Sequence, residues 1–299
     1  MSGTSRSRRR RERLGEHLRA AGIDGDIHET QAAGDAGRLA ALGFARGWRR
    51  FAIAGGDGTA HEAVNGLLAA RGSATDALTV GILPLGTGND WARSLGISRR
   101  LERACATLAN GRAVPFDVGE VILERDGVTQ TRFFLNACGA GFDAHVVRMM
   151  AGRYHGRWRY AVGLLHGAFT FHPPRIGVRT PAACVSDQHS LAVLLCNGAF
   201  LGGGMRIAPQ AQYDDGMLDV LIVEAVGAAK IIANIPRLIT GKLADSPHVQ
   251  YLRGAVLTLS GDADIQCDGE PVGRLPARVR VIHNAIRVMI DADRVACDA

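Results

Sequence analysis

The chain has 299 residues, 47% of them hydrophobic and 21% charged, and its 35 Lys and Arg against 29 Asp and Glu give a formal charge of +6. That is the composition of a globular protein with ample material for a core, and the length suggests two domains. A basic balance suits an acidic partner such as a nucleotide, a nucleic acid or an anionic membrane. Six arginines fall within residues 6–13, and such a run reads as a solvated tail or as a contact with an anionic surface.

Cys105, Cys138, Cys184, Cys196, Cys267 and Cys297 are scattered, with no C-x-x-C pair. They read as small buried residues in a reducing compartment, which excludes a disulfide framework or a zinc site. The longest apolar candidate, 220–239, is broken by Glu224, Lys230 and Arg237, so no transmembrane helix is expected. No apolar segment follows the N-terminal arginines, so no signal peptide is expected. The expected location is the cytoplasm, with peripheral contact at the inner face of the membrane.

In chain order, 8–22 reads as a helix from the spacing of Leu14, Leu18 and Ala21, and 36–46 as a second. A short apolar strand at 50–54 ends in Gly55-Gly56-Asp57-Gly58, and a helix with Ala63, Val64, Leu67 and Leu68 on one face begins at once. A strand at 78–83 runs into Pro84-Leu85-Gly86-Thr87-Gly88-Asn89-Asp90, with helices near Trp91 and over 100–109. This alternation predicts an α/β layer with a mostly parallel sheet. After Pro115 the texture changes. Strands are predicted at 116–123, 131–137, 175–179, 190–196, 217–224, 255–259, 264–267 and 278–290, interrupted by helical inserts near 155–171 and 226–242. That part reads as a β-rich domain, a sandwich.

Glycines at 55, 56 and 58 remove side chains where the chain turns into a helix, so that backbone N–H groups can approach an anion there. Thr59 and Glu62 have the spacing of a capping box, the reading of an ordinary strand-to-helix turn. Asp57 argues for more. A carboxylate inside a phosphate loop is repelled unless it helps hold Mg²⁺ or accepts a proton from an attacking hydroxyl. No P-loop and no protein-kinase signature is present. The Asn89-Asp90 pair also has the composition of a helix cap before Trp91, and Asp214-Asp215-Gly216 that of a turn.

Six segments together resemble the diacylglycerol and sphingosine kinase superfamily, in family order and at family-like spacing from about residue 8 to the end. They are GGDGTAHEAVNGL (55–67), LPLGTGNDWARSLGI (83–97), FDVG (116–119), NACGAGFDAHV (136–146), NGAFLGGGMRIAPQAQYDDGMLDV (197–220) and CDGEPVG (267–273). GGDGT alone also occurs in NAD kinases; the combination is far more specific. The resemblance implies an α/β nucleotide-binding domain over 1–117, NAD kinase-like, and a β-sandwich domain over 118–287. It places the active site in the cleft between them and returns 288–299 to the first domain. The implied activity is an ATP- and Mg²⁺-dependent lipid kinase acting on diacylglycerol or a related lipid. A soluble-substrate kinase of the NAD kinase type and an inactive nucleotide-binding regulator remain as alternatives.

By the same resemblance, Gly55, Gly56, Asp57, Gly58 and Thr59 hold the phosphates, with Glu62, Gly86, Thr87 and Asn89 nearby. Two residues compete for the role of base, Glu270 and Asp57. If Glu270 takes it, Asp57 organises Mg²⁺ with Asp90 and Asp117. A structural Mg²⁺ is implied at Asp215 with the carbonyls of Gln212 and Met217, oxygen ligands that suit the ion. The insert at 155–171 sets Arg157 and Arg159 beside Trp158 and Tyr160, a pattern that meets a bilayer surface or packs on the sandwich with a basic outer face. The partners implied are a lipid at a membrane surface and ATP, with no specific nucleic acid. One departure stands out. The family begins with an apolar strand ending in Asn-Pro-x-Ser-Gly, whereas residues 1–7 contain no apolar run. An unfilled sheet position beside the loop is therefore expected, and with it a homodimer through that edge.

Overall fold

In the computed structural model, residues 12–72, 76–150, 166–167 and 169–292 are described. The expected gap over residues 1–7, most of the 155–171 insert and Cys297 lie outside them. The chain divides into two compact units: residues 1–86, 95–114 and 286–299 form the first, and 87–94 and 115–285 the second.

In the first unit, helix α1 (12–20) and helix α2 (Asp35–Ala45) precede strand β1 (Arg50–Gly55) and helix α3 (Asp57–Arg71). Strand β2 (Thr79–Pro84) pairs parallel to β1, with Gly55 opposite Pro84. Helix α3 buries Val64, Leu67 and Leu68, the stripe that the 3.6-residue spacing predicted. Helices α2 and α3 cross where both lack side chains: a Cβ on Gly66 would lie 2.1 Å from the Gly37 carbonyl oxygen. In the second unit, helix α4 (Asp90–Ser94) is a single turn; in the first, helix α5 (Leu101–Asn110) packs Leu108 against Gly81 of β2.

The second unit is a sandwich. One layer contains β3 (Arg112–Arg125), β4 (Val128–Phe134), β6 (Arg175–Arg179), β12 (Val256–Gly261) and the start of β15 (Ala277–Ile290). The other contains β5 (Ala137–Gly141), β10 (Leu218–Glu224), β11 (Val249–Gly254), β13 (Asp264–Cys267) and β14 (Glu270–Arg274). Strand β7 (Cys184–Cys196) serves both, pairing with β6 through its first half and with β5 and β10 through its second. A small separate hairpin joins β8 (Phe200–Leu201) to β9 (Met205–Arg206). The end of β15 pairs parallel to β2 in the first unit through Arg287 and Val288.

The middle of the second layer, β5, β10 and the second half of β7, is buried on both faces, and alternation divides its residues between two cores. Leu218, Val220 and Ile222 of β10, with Val193 and Leu195 of β7, point into the sandwich. Leu221, Ala192, Leu194 and Cys196 point the other way, under helix α6 (Phe142–Met150) and helix α7 (Ala228–Thr240). Such doubly buried strands read as continuous apolar runs. Cys105, Cys138, Cys196 and Cys267 are buried, as composition suggested, whereas Cys184, at the outer start of β7, is exposed. The expected strand at 131–137 is in fact two, broken at Leu135 and Asn136. Helix α6 and strands β11 and β14 were not expected.

Candidate functional site

In the first unit the Gly55–Thr59 loop lies at the carboxyl end of β1, where open parallel sheets bind ligands. The capping-box expectation is corrected. Gly56 is the N-cap and makes no side-chain cap bond, so α3 starts at Asp57 and Thr59 already lies in its first turn. Asp57 is thus the first helical residue, a carboxylate at the positive end of the helix dipole. Gly55 is required here: a Cβ would lie 2.6 Å from the Thr59 side chain. The Gly55 carbonyl accepts N–H bonds from Leu85 at 2.9 Å and Gly86 at 3.3 Å, which fixes the second glycine loop, at the end of β2, against the first. Glu62 lies one turn further along α3, half-buried.

The second unit holds the other candidates. Thr87 is exposed, and Asn89 is buried in a left-handed conformation at φ 55°, leading into α4. Asp90 accepts the Gly203 N–H at 2.6 Å through Oδ2. Asp117, fully buried, accepts the Gly216 N–H at 2.7 Å and the Asn284 N–H at 2.7 Å, with His283 Nδ1 at 2.9 Å. Asp215 accepts the Met217 N–H at 2.9 Å and pairs with Arg253. The Met217 N–H and the Arg253 guanidinium bond to the two Asp215 oxygens, and these bonds do not engage the carbonyls of Gln212 and Met217, the other oxygens expected to hold a structural Mg²⁺. Among the described residues, no three His, Cys, Asp or Glu side chains converge on a metal-sized site.

Glu270 is exposed and opens β14, one residue beyond the Asp268-Gly269 turn. That turn is firmly held. The Asp268 carboxylate accepts the N–H groups of Leu135, Asn136 and Ala137 at 2.8, 2.9 and 3.1 Å. Drawing those amides out of the ladder is what separates β4 from β5. Gln266, buried, accepts the Gly269 N–H at 2.7 Å through Oε1 and donates Nε2 to Asp143 Oδ2 at 2.9 Å. Asp143 heads α6, and Gly139 has no Cβ because one would lie 1.6 Å from its carboxylate. Burial pushes the Asp143 carboxyl up to about 6, against the bonds from Gln266 and the backbone amides of Ala144 and its own residue.

The segments containing Asn136, Asp143 and Asn197 were noticed in the sequence, but their function was not. Asn197 donates Nδ2 to the carbonyls of Asp117 and Leu135, both at 2.9 Å. Asn136 accepts from Ser94 Oγ at 2.8 Å and donates to the Phe200 carbonyl. An Asn in an apolar strand, a composition that buried sheets avoid unless its amide is paired, was the available signal.

The diacylglycerol kinase catalytic domain family model matches residues 1–121, and the YegS C-terminal NAD kinase beta sandwich-like domain model matches 136–290. A "Probable lipid kinase YegS-like" protein of Pseudomonas aeruginosa is 32% identical over 282 residues, 92% of this chain and 87% of that protein. A "Diacylglycerol kinase" of Bacillus subtilis is 26% identical over 280 residues, 92% of this chain and 88% of the relative. Among solved structures, a diacylglycerol kinase from Bacillus anthracis superposes with a TM-score of 0.69 at 20% identity, covering 93% of this chain and 89% of the other. An NAD kinase from Archaeoglobus fulgidus in complex with ATP reaches 0.50 at 11% identity, covering 96% and 92%. These two establish the fold: an NAD kinase-like α/β layer with a β-sandwich.

Proposed function

The chain belongs to the diacylglycerol kinase and YegS-type lipid kinase family, and on that premise we propose that it transfers the γ-phosphate of ATP to the hydroxyl of diacylglycerol or a closely related lipid. The observation that carries this reading is the Gly55–Thr59 loop, bonded to the neighbouring glycine loop and opening the N-terminus of α3 toward an anion. Backbone amides there hold the phosphates, and the helix dipole favours their charge. Gly86, Thr87 and Asn89 complete the nucleotide contacts. Phosphoryl transfer is mostly positioning and charge neutralisation. The lipid hydroxyl oxygen bonds to the γ-phosphorus, the bond to the bridging oxygen breaks and ADP departs.

Glu270, exposed on a turn held by Asp268 and Gln266, takes the hydroxyl proton. Asp57 is the acid in the loop and would hold the Mg²⁺ that accompanies the phosphates. Mg²⁺ is bound by one or two carboxylates plus substrate phosphates rather than by an all-protein cage, so a single Asp57 fits that donor set. When bound, Mg²⁺ neutralises phosphate charge. Asp117 gives both oxygens to backbone amides and Asp90 gives Oδ2 to one, and neither is assigned a metal.

Incubation with labelled ATP, Mg²⁺ and a lipid panel in detergent micelles tests the reading. Labelled phosphatidic acid or a related phospholipid is the expected product. Label in NADP from added NAD, with none in lipid, would reverse the choice of acceptor.

A further inference from the structure

Helix α7 has a polar face with Lys230, Asn234 and Arg237, and an apolar arc that runs past its contact with the core. Its inner face meets the core through Ile231 and Leu238, beneath which lie Leu194 and Leu221. Its outer face carries Ala229, Ile232, Ala233, Pro236 and Ile239, all exposed, with Ile232 at 38% and Ile239 at 62%. These residues lie within about 120° of one another on the helix at 100° per residue. A surface helix ordinarily buries its apolar stripe, and here the stripe extends into solvent. Isolated exposed apolar residues are common, but a contiguous row on one face marks an interaction surface.

The charges on the helix itself have one sign, although Lys230 Nζ lies 3.3 Å from His248 Nε2, whose other ring nitrogen meets Glu224. α7 contains Lys230 and Arg237 and no acid, and Lys242 follows its end. Phe169, 73% exposed, precedes Phe171, which packs on the same core cluster as Ile231.

We propose that the outer face of α7, with Ile232, Pro236 and Ile239 inserted and Lys230, Arg237 and Lys242 at headgroup level, docks this protein on an anionic phospholipid bilayer. The charge pattern favours that occupant. A two-fold dimer would set the same patch against itself and oppose cation to cation. An anionic leaflet instead attracts cations flanking an apolar helix face. The proposal rests on the lipid-kinase reading only for the biological source of the bilayer; the contact is measured without turnover.

The test is co-sedimentation of the full chain with phosphatidylcholine vesicles, with and without phosphatidylglycerol. The wild type should bind the anionic vesicles, weaken with added salt and bind neutral vesicles poorly. Ile232→Glu with Ile239→Glu should weaken anionic binding by ~10-fold or more, and Arg237→Gln by a few-fold. Ile239→Ser is a gentler variant at the most exposed position, should the double variant fold poorly. Val128→Glu, at a site 66% exposed elsewhere in the same unit, should change nothing. Turnover of a short-chain, water-dispersed diacylglycerol should be unaltered in every variant, so loss of catalysis and loss of docking remain distinguishable. Wild-type binding by Ile239→Ser, equal affinity for neutral and anionic vesicles, or a wild-type dimer that the double variant dissociates would each overturn the proposal.

Discussion

The Gly55–Thr59 loop and the carboxylate network of the second unit are both acidic motif regions, yet the chain uses their acids differently. Asp57 sits at the start of α3, half-buried, two residues after Gly55, whose missing side chain lets Thr59 pack against the backbone. Asp90, Asp117 and Asp268 instead accept backbone N–H groups from Gly203, Gly216, Asn284 and residues 135–137. A carboxylate that closes two or three backbone amides is part of the architecture, since those amides have no water to bond instead. The contrast predicts two kinds of motif residue: one whose loss should stop the proposed reaction, and one whose loss should loosen the fold.

The strongest way to break the contrast is at Asp57. Asp57→Ala should reduce phosphoryl transfer by ~10³-fold or more while thermal unfolding is nearly unchanged. Near-wild-type turnover would remove Asp57 from the mechanism. Asp117→Ala should do the reverse. It strands the Gly216 and Asn284 amides and should cost about 3 kcal/mol of stability, read by urea denaturation. An unchanged midpoint would show that water replaces the carboxylate and that its role is elsewhere.

Glu270→Gln tests the reaction from the second unit. The amide keeps the shape but cannot accept the proton, so turnover should fall by ~10²-fold with ATP affinity nearly intact. Lost ATP affinity at unchanged turnover would make Glu270 a binding residue and transfer the role of base to Asp57.

The smallest effect is expected at Asp143, whose carboxyl is raised by burial from 3.8 to about 6. A carboxyl raised on folding holds its proton more tightly in the native state. Stability is therefore highest below the unfolded value and falls as pH rises toward the folded one. Asp143→Asn keeps a partner for Gln266 without the buried charge. It should be more stable than the wild type at pH 8 by ~2 kcal/mol and no more stable near pH 4. A constant difference across that range would show that the carboxyl does not titrate there. A parallel fall in turnover at saturating ATP would show that the Gln266 link also positions the Glu270 turn.

Much of the fold was legible because its signals are local. The strand at 50–54 and the helix after it were read from apolar spacing alone, and 175–179 and 264–267 coincide with β6 and β13. The misses have physical causes. β7 begins at Cys184, six residues before the expected start, because its first half carries the polar residues Asp187, Gln188 and His189. β11 is half-exposed and pairs with β10 alone among the described strands, so Gln250 and Arg253 hide its pattern. Helix α6 is short and follows directly on the glycine-rich β5, which masked its period.

The sequence by itself determined the alternating α/β layer, the β-rich remainder and a glycine loop with an acid in it, because period, glycine placement and charge are properties of neighbouring residues. Which acids are structural was decided only by the tertiary structure. Asp117 meets residues 99 and 167 positions away, and Asp268 meets a strand break 131–133 positions back. The start of α3 was decided there too, since Gly56 caps it by backbone geometry that no side chain announces. Hydrogen-bond satisfaction depends on which distant amides arrive at a carboxylate, and no spacing along the chain specifies that.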